Sequence, residues 1–271
     1  MALSLLAEGA LFGSLNVIGM ILLEFGLSMK DVKLLHKREA GRELHISGIA
    51  ATAFNSIVLG SITYAVTVEY FCVKGPLALF QQACSVMVFL LVENVMYYFA
   101  HMAMHTRKLY WMHRFHHKFN VVVLPSSASA VSIPEFVIAY MAPFVVGSWV
   151  AGTDKSSAVV AASIVAISNL VIHTPALEEA MSHLPWMFVT PSDHFAHHRQ
   201  LTCNYGAPLF SLDRILNVMK DFMFLFSSSS DDEMESVPFS VGASFCNSNP
   251  SLDGEDSDEY EETEVETKKE L

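Results

Sequence analysis

Long apolar runs dominate the first two thirds of the chain and predict membrane-crossing helices. A helix needs about 20 mostly apolar residues to cross roughly 30 Å of hydrocarbon. Windows of this kind lie near residues 4–28, 46–72, 77–100, 134–151 and 156–175. The last two are closely spaced and fit either two crossings or a re-entrant hairpin. The pattern therefore predicts an all-α integral membrane bundle of four to five apolar segments.

The composition supports this fold class. Hydrophobic residues make up 52% of the chain and charged residues only 16%, whereas soluble domains carry about 25% charged residues. An ordinary cytosolic globular protein is therefore disfavoured.

The acidic net charge of −12 belongs to one end of the chain. Residues 1–226 hold 14 acidic and 14 basic side chains, and residues 227–271 hold the other 14 acids with only Lys268 and Lys269. Such a polar, acidic segment cannot bury enough apolar surface to fold, which predicts a disordered tail. The two lysines resemble the dilysine signal of endoplasmic-reticulum membrane proteins. Nucleic-acid binding is disfavoured because the body has no net positive charge.

The cations indicate an orientation. If all five windows cross, residues 29–45, 101–133 and 176–271 share one side and carry 14 of the 16 lysines and arginines. Only Lys74 and Lys155 lie on the other side. The positive-inside rule makes the cation-rich side cytosolic.

Histidines are the strongest chemical signal. Nine of the twelve lie at or after the ends of the later windows. Eight of them form clusters with spacings of three and four residues, which place side chains on one helical face. Bunched imidazoles repel one another when protonated and need a shared cation. The predicted metal ligands are His101, His105, His113, His116, His117, His173, His194, His197 and His198.

The number of histidines predicts two metal ions rather than one. Nine ligands exceed what one tetrahedral zinc ion uses, and imidazole suits iron, zinc, copper and nickel alike. The absence of a C-x-x-C pair from the sequence argues against an iron–sulfur cluster and a thiolate zinc site. Few acids lie among the histidines, which favours oxygen chemistry on a lipid over hydrolysis.

These motifs resemble the fatty acid hydroxylase/sterol desaturase superfamily of membrane di-iron oxygenases, over about residues 93–216. The order and spacing of several blocks carry the resemblance. They are His101-Met-Ala-Met-His105, Leu109-Tyr-Trp-Met-His-Arg-Phe-His-His117, Pro134-Glu135, His173, Thr190-Pro-Ser-Asp-His194-Phe-Ala-His197-His198, Asn204-Tyr205-Gly206 and Asp213-Arg214-Ile215-Leu216.

The resemblance implies two non-haem iron ions, O2 as co-substrate, residence in the endoplasmic reticulum and a cytochrome-b-type or NAD(P)H-linked electron donor. It divides the chain into an N-terminal hairpin with a basic loop (1–76), a catalytic domain with a cytosolic, helical, histidine-rich cap (77–226) and the tail (227–271). The expected reaction is hydroxylation, desaturation or methyl oxidation of a lipid of the sterol or triterpenoid pathway. Squalene epoxidation and fatty acyl or sphingolipid hydroxylation are the alternatives.

Four polar residues are candidates for orienting a ligand or a bound water: Glu93, Asn169, Asp193 and Asn204. Each also fits an ordinary polar position at a helix end. No catalytic residue beyond the metal ligands is predicted.

A metal transporter or scaffold is the competing class of function. A transporter places ionisable ligands at mid-membrane, whereas the histidine clusters follow the ends of the apolar windows. The sequence therefore favours an enzyme.

Overall fold

The computed structural model describes residues 2–227, which form helices and no β-strand. In chain order these are α1 (Ala2–Leu27), α2 (Met29–Leu35), α3 (Gly41–Phe71), α4 (Leu79–Met104), α5 (Tyr110–His113), α6 (Ile133–Ala151), α7 (Lys155–Ile172), α8 (Glu178–Met181), α9 (Pro191–Gln200) and α10 (Leu212–Ser227). Helix α3 contains π-helical turns at Asn55–Leu59 and Thr67–Phe71, and α6 contains one at Phe136–Met141. The predicted acidic tail and its dilysine ending lie beyond Ser227, outside the described residues.

Helices α1, α3, α4, α6 and α7 are each long and apolar enough to cross a membrane. Their outward faces carry exposed large apolar side chains such as Leu15, Phe99 and Ile167, as expected for surfaces that meet lipid rather than water. The prediction of an all-α membrane bundle is confirmed, and the chain is a multi-pass membrane protein.

Two glycines bring α1 against α3. A Cβ atom on Gly13 would lie 2.1 Å from the carbonyl oxygen of Ser56, and one on Gly9 would lie 2.7 Å from the Cα of Ser61. Small residues four apart allow this close backbone approach between membrane helices.

Contacts at the helix ends show that the five long helices alternate in direction. At one end, Val73 N donates to Thr153 O (2.9 Å) and Leu77 N donates to an Asp154 carboxylate oxygen (3.0 Å). The side chain of Lys155, which begins α7, pairs with Glu8 of α1 at 2.6 Å. The histidine-bearing segments therefore lie together at the opposite end of the bundle.

A buried loop enters the bundle at that end. Residues 122–131 are all buried, and non-helical backbone at such a place needs internal hydrogen-bond partners. Polar side chains of the long helices supply them. Thr52 donates to Ser126 O (2.8 Å), Asn55 to the carbonyls of Ser129 and Val131 (2.9 and 3.0 Å), and Asn169 to Ala128 O (2.8 Å). These polar residues within apolar helices hold the loop beside the histidines.

Candidate metal centre

The first histidine cluster joins three parts of the chain. The last turn of α4 and the cap after it supply His101 and His105, the segment around α5 supplies His113 and His117, and α9 supplies His197. One nitrogen atom from each ring lies within 4.8 Å of the others, and all five residues except His105 are buried.

The second cluster consists of four buried histidines, and one nitrogen atom from each ring again lies within 4.8 Å of the others. His116 directly precedes His117 of the first cluster, and His173 caps α7. His194 and His198 lie one turn apart on α9. The clusters adjoin, because the rings of His117 and His198 are 4.8 Å apart between centroids. All nine predicted ligands are thus brought into one buried region with two centres.

Helix α9 is fixed at its start by its own polar residues. Thr190 Oγ1 accepts a hydrogen bond from Asp193 N, and Thr190 N donates to the Asp193 carboxylate (3.1 Å), which forms a capping box. Arg214 of α10 forms an ion pair with the same carboxylate. Positions 194, 197 and 198 then share one face of α9, which is the face turned to the other histidines.

Backbone carbonyls fix the tautomers of three rings. His101 Nδ1 lies 2.8 Å from Tyr205 O, His173 Nδ1 lies 2.7 Å from Asn169 O, and His197 Nδ1 lies 2.7 Å from Cys203 O. A carbonyl oxygen only accepts, so each Nδ1 carries the proton. In the neutral imidazole each Nε2 then presents a bare lone pair.

Glu135 does the same for His113, whose Nδ1 lies 2.5 Å from Glu135 Oε1. Both side chains are buried, and the π-helical turn Phe136–Met141 begins immediately after the carboxylate. A carboxylate that holds the far nitrogen of a histidine ligand fixes the ring and makes the ligand more basic. Glu135 belongs to the quoted sequence motifs, but its role was not predicted.

The converging nitrogens need a cation. The Nε2 atoms of His101 and His113 are 2.9 Å apart, although both rings carry their proton on Nδ1 and no hydrogen can lie between them. The Nε2 of His197 is buried and has no hydrogen-bond partner among the described residues. Lone pairs at this distance repel unless an ion binds them, so the donor set fits a metal.

Burial keeps these rings in the form that binds metals. Desolvation, with the charge interaction with His197 as a further cause, lowers the pKa of His105 to about 3. Desolvation also lowers the pKa of His173 and of His197 to about 4. The rings are therefore neutral at pH 7, as metal ligation requires.

The four residues predicted to orient a ligand or a bound water differ in what they contact. Asn169 holds His173 through its backbone carbonyl, while its side chain binds the buried loop. Asp193 caps α9, and Asn204 Nδ2 donates to Asp193 O (3.1 Å) with φ of 52° at the turn after α9. Glu93 is paired with its neighbour Asn94 (3.0 Å) and lines a cavity instead of contacting a histidine. Neither the Glu93 nor the Asp193 side chain forms a hydrogen bond to a histidine within residues 2–227, and the role of both in orienting a ligand or a bound water stays a prediction.

Comparison with known proteins found one family that matches the histidine-bearing region. The family model described as "Fatty acid hydroxylase" matches residues 86–218, which contain all nine clustered histidines and Glu135. No curated protein and no solved structure gives a match. The region that carries the histidines, residues 86–218, thus matches the fatty acid hydroxylase family, in agreement with the superfamily that its histidine motifs resemble.

Proposed function

We propose that the chain is a membrane-embedded di-iron oxidoreductase that uses O2 to oxidise a lipid of the sterol or triterpenoid pathway by hydroxylation, desaturation or methyl oxidation. The observation that carries the proposal is the convergence of nine imidazoles on two adjoining centres. The family match over residues 86–218 supports an oxidoreductase of membrane lipids. Iron bound there would supply redox chemistry with O2 that protein side chains lack.

The chain's own residues hold and shield the site. His101, His105, His113, His117 and His197 would bind one ion, and His116, His173, His194 and His198 the other. Glu135 and three backbone carbonyls keep the rings in place. The buried loop and the long helices exclude water from the region, which protects a reactive site from side reactions.

A separate electron donor has a route to the first centre. A cleft at the histidine end is lined by Arg38, Arg114 and Lys118 together with two glutamates, and it reaches His117. We propose that a cytochrome-b-type or NAD(P)H-linked donor approaches here, since charged groups at a rim guide association between proteins.

We place the protein in the endoplasmic reticulum with the histidine end in the cytosol. The distribution of 14 of 16 cations supports this orientation. A reporter fused after Leu271 should read cytosolic, and one fused before Met1 should read lumenal, in a protease-protection assay. The opposite pattern would overturn the assignment.

Lipid profiling under ¹⁸O2 tests the reaction. Cells that express the full chain should accumulate an oxidised neutral lipid that cells expressing the His198→Ala variant lack. Hydroxylation or methyl oxidation places ¹⁸O in the product, whereas desaturation consumes O2 and leaves the product unlabelled. Identical lipid profiles in the two strains, with both proteins present at equal levels, would contradict the proposed function.

A further inference from the structure

A cavity lies inside the bundle, between all five long helices. It is partly open to the outside, and its lining is largely apolar. Asn169 is part of its wall and also holds His173 through its backbone carbonyl. The cavity therefore shares a wall with the second metal centre.

Most polar side chains of this wall already have partners. Asn16 Nδ2 donates to Ser56 Oγ (3.1 Å), Thr63 donates to Leu59 O (2.8 Å) and Tyr64 donates to Glu8 (2.9 Å). The Asn169 side chain donates a hydrogen bond to Ala128 O of the buried loop. These groups need nothing from a ligand.

Glu93 differs from them. Its side chain lines the cavity and the residue is only 4% exposed, yet within residues 2–227 the one donor to its carboxyl group is the neighbouring Asn94 (3.0 Å). A buried carboxyl group with free acceptor capacity is costly unless a ligand supplies a hydrogen bond. Glu93 is also the single carboxylic acid in the described lining, which contains no lysine, arginine or histidine.

We propose that this cavity binds an uncharged lipid whose hydroxyl group donates a hydrogen bond to Glu93; this rests on the proposed function. A hydroxyl group can donate to a carboxylate and can also accept from a protonated carboxyl group. A carboxylate or phosphate on the lipid would face Glu93 with no cation to balance it. A lipid ammonium group would bring a second full charge into the bundle, a desolvation cost that close pairing often fails to offset.

The position of Glu93 also separates the hydroxyl group from the reacting carbon. Glu93 lies eight positions before His101 along α4, which corresponds to a rise of about 12 Å. A lipid held at Glu93 therefore presents to the metal centres a carbon that is remote from its hydroxyl group.

Binding to the purified, iron-loaded full chain tests the inference without turnover. The probes are tritiated cholesterol, its 3-methyl ether, its 3-sulfate and its 3-amino analogue, in detergent without reductant. Cholesterol should bind about tenfold more tightly than the methyl ether, since the ether cannot donate the hydrogen bond. The Glu93→Leu variant should lose this discrimination, and Glu93→Gln should retain most of it because an amide oxygen still accepts.

A second pair of variants distinguishes binding in the cavity from misfolding that a substitution at position 93 could cause. Ala166→Phe places a ring in the cavity and should weaken binding of cholesterol and its ether alike, whereas Ile167→Phe on the outward face of α7 should change neither. Three results would each overturn the inference. The unaltered chain could bind cholesterol and the ether equally, or bind the sulfate or the amine more tightly than cholesterol. The Glu93→Leu variant could still bind cholesterol more tightly than the ether. If the chain binds cholesterol more tightly than its methyl ether but does not oxidise lipid, the result would count against the proposed function and not against this inference.

Discussion

Alanine in place of His116 or His197 is expected to abolish lipid oxidation and to lower the bound metal by about one ion per chain. Each substitution removes one ligand from a different centre, and the cavity it leaves offers no replacement donor. The loss of activity should exceed the roughly 10- to 100-fold typical of residues that only orient a ligand. Elemental analysis of the purified variants, together with the lipid assay, measures both effects.

The chain offers a matched control for this substitution. His45 is a buried histidine outside both clusters and is bonded to Glu24 at 2.7 Å. A His45→Ala variant loses comparable packing but should keep its full metal content. Equal metal loss in all three variants would mean that the substitutions act through folding and not through ligation.

Leucine in place of Glu135 is expected to weaken metal binding at the first centre by about 10- to 100-fold, the range found for carboxylates that hold a histidine ligand. The His113 ring would lose its 2.5 Å partner and with it a fixed tautomer. Glu135→Gln should recover most of the affinity, because the amide oxygen still accepts from Nδ1–H. Competition with a metal chelator, followed by elemental analysis, gives the affinities.

Glu24 provides the control for Glu135, since it is also a buried glutamate paired with a histidine, His45, at 2.7 Å. Glu24 also accepts a hydrogen bond from Ser126 N of the buried loop (3.1 Å), so Glu24→Leu should lower the stability of the fold but leave metal affinity per folded chain unchanged. If Glu135→Gln and Glu135→Leu weaken binding equally, the hydrogen bond to His113 is not what matters at this position.

The sequence predicted the parts of the structure that depend on local pattern. Apolar windows near residues 4–28, 46–72 and 77–100 correspond to α1, α3 and α4, because crossing a bilayer demands length and apolarity alone. The i, i+3 and i+4 spacing of His194, His197 and His198 placed three rings on one helical face before any fold was known.

The sequence did not predict contacts that arise from tertiary structure. The carbonyls that fix His101 and His197 belong to Tyr205 and Cys203, and a backbone acceptor leaves no trace in residue type. Glu135 meets His113 across 22 positions. Glu93 lines the cavity, a position that no local pattern in the sequence predicts. The buried loop at 122–131 has no periodicity that would predict its insertion.

Counting the metal in purified protein tests the central claim most directly. The account predicts two iron ions per full-length chain in active preparations, bound by nitrogen ligands without sulfur, as read from elemental analysis and X-ray absorption. One ion per chain, a sulfur ligand, or full activity in protein that contains no metal would contradict it.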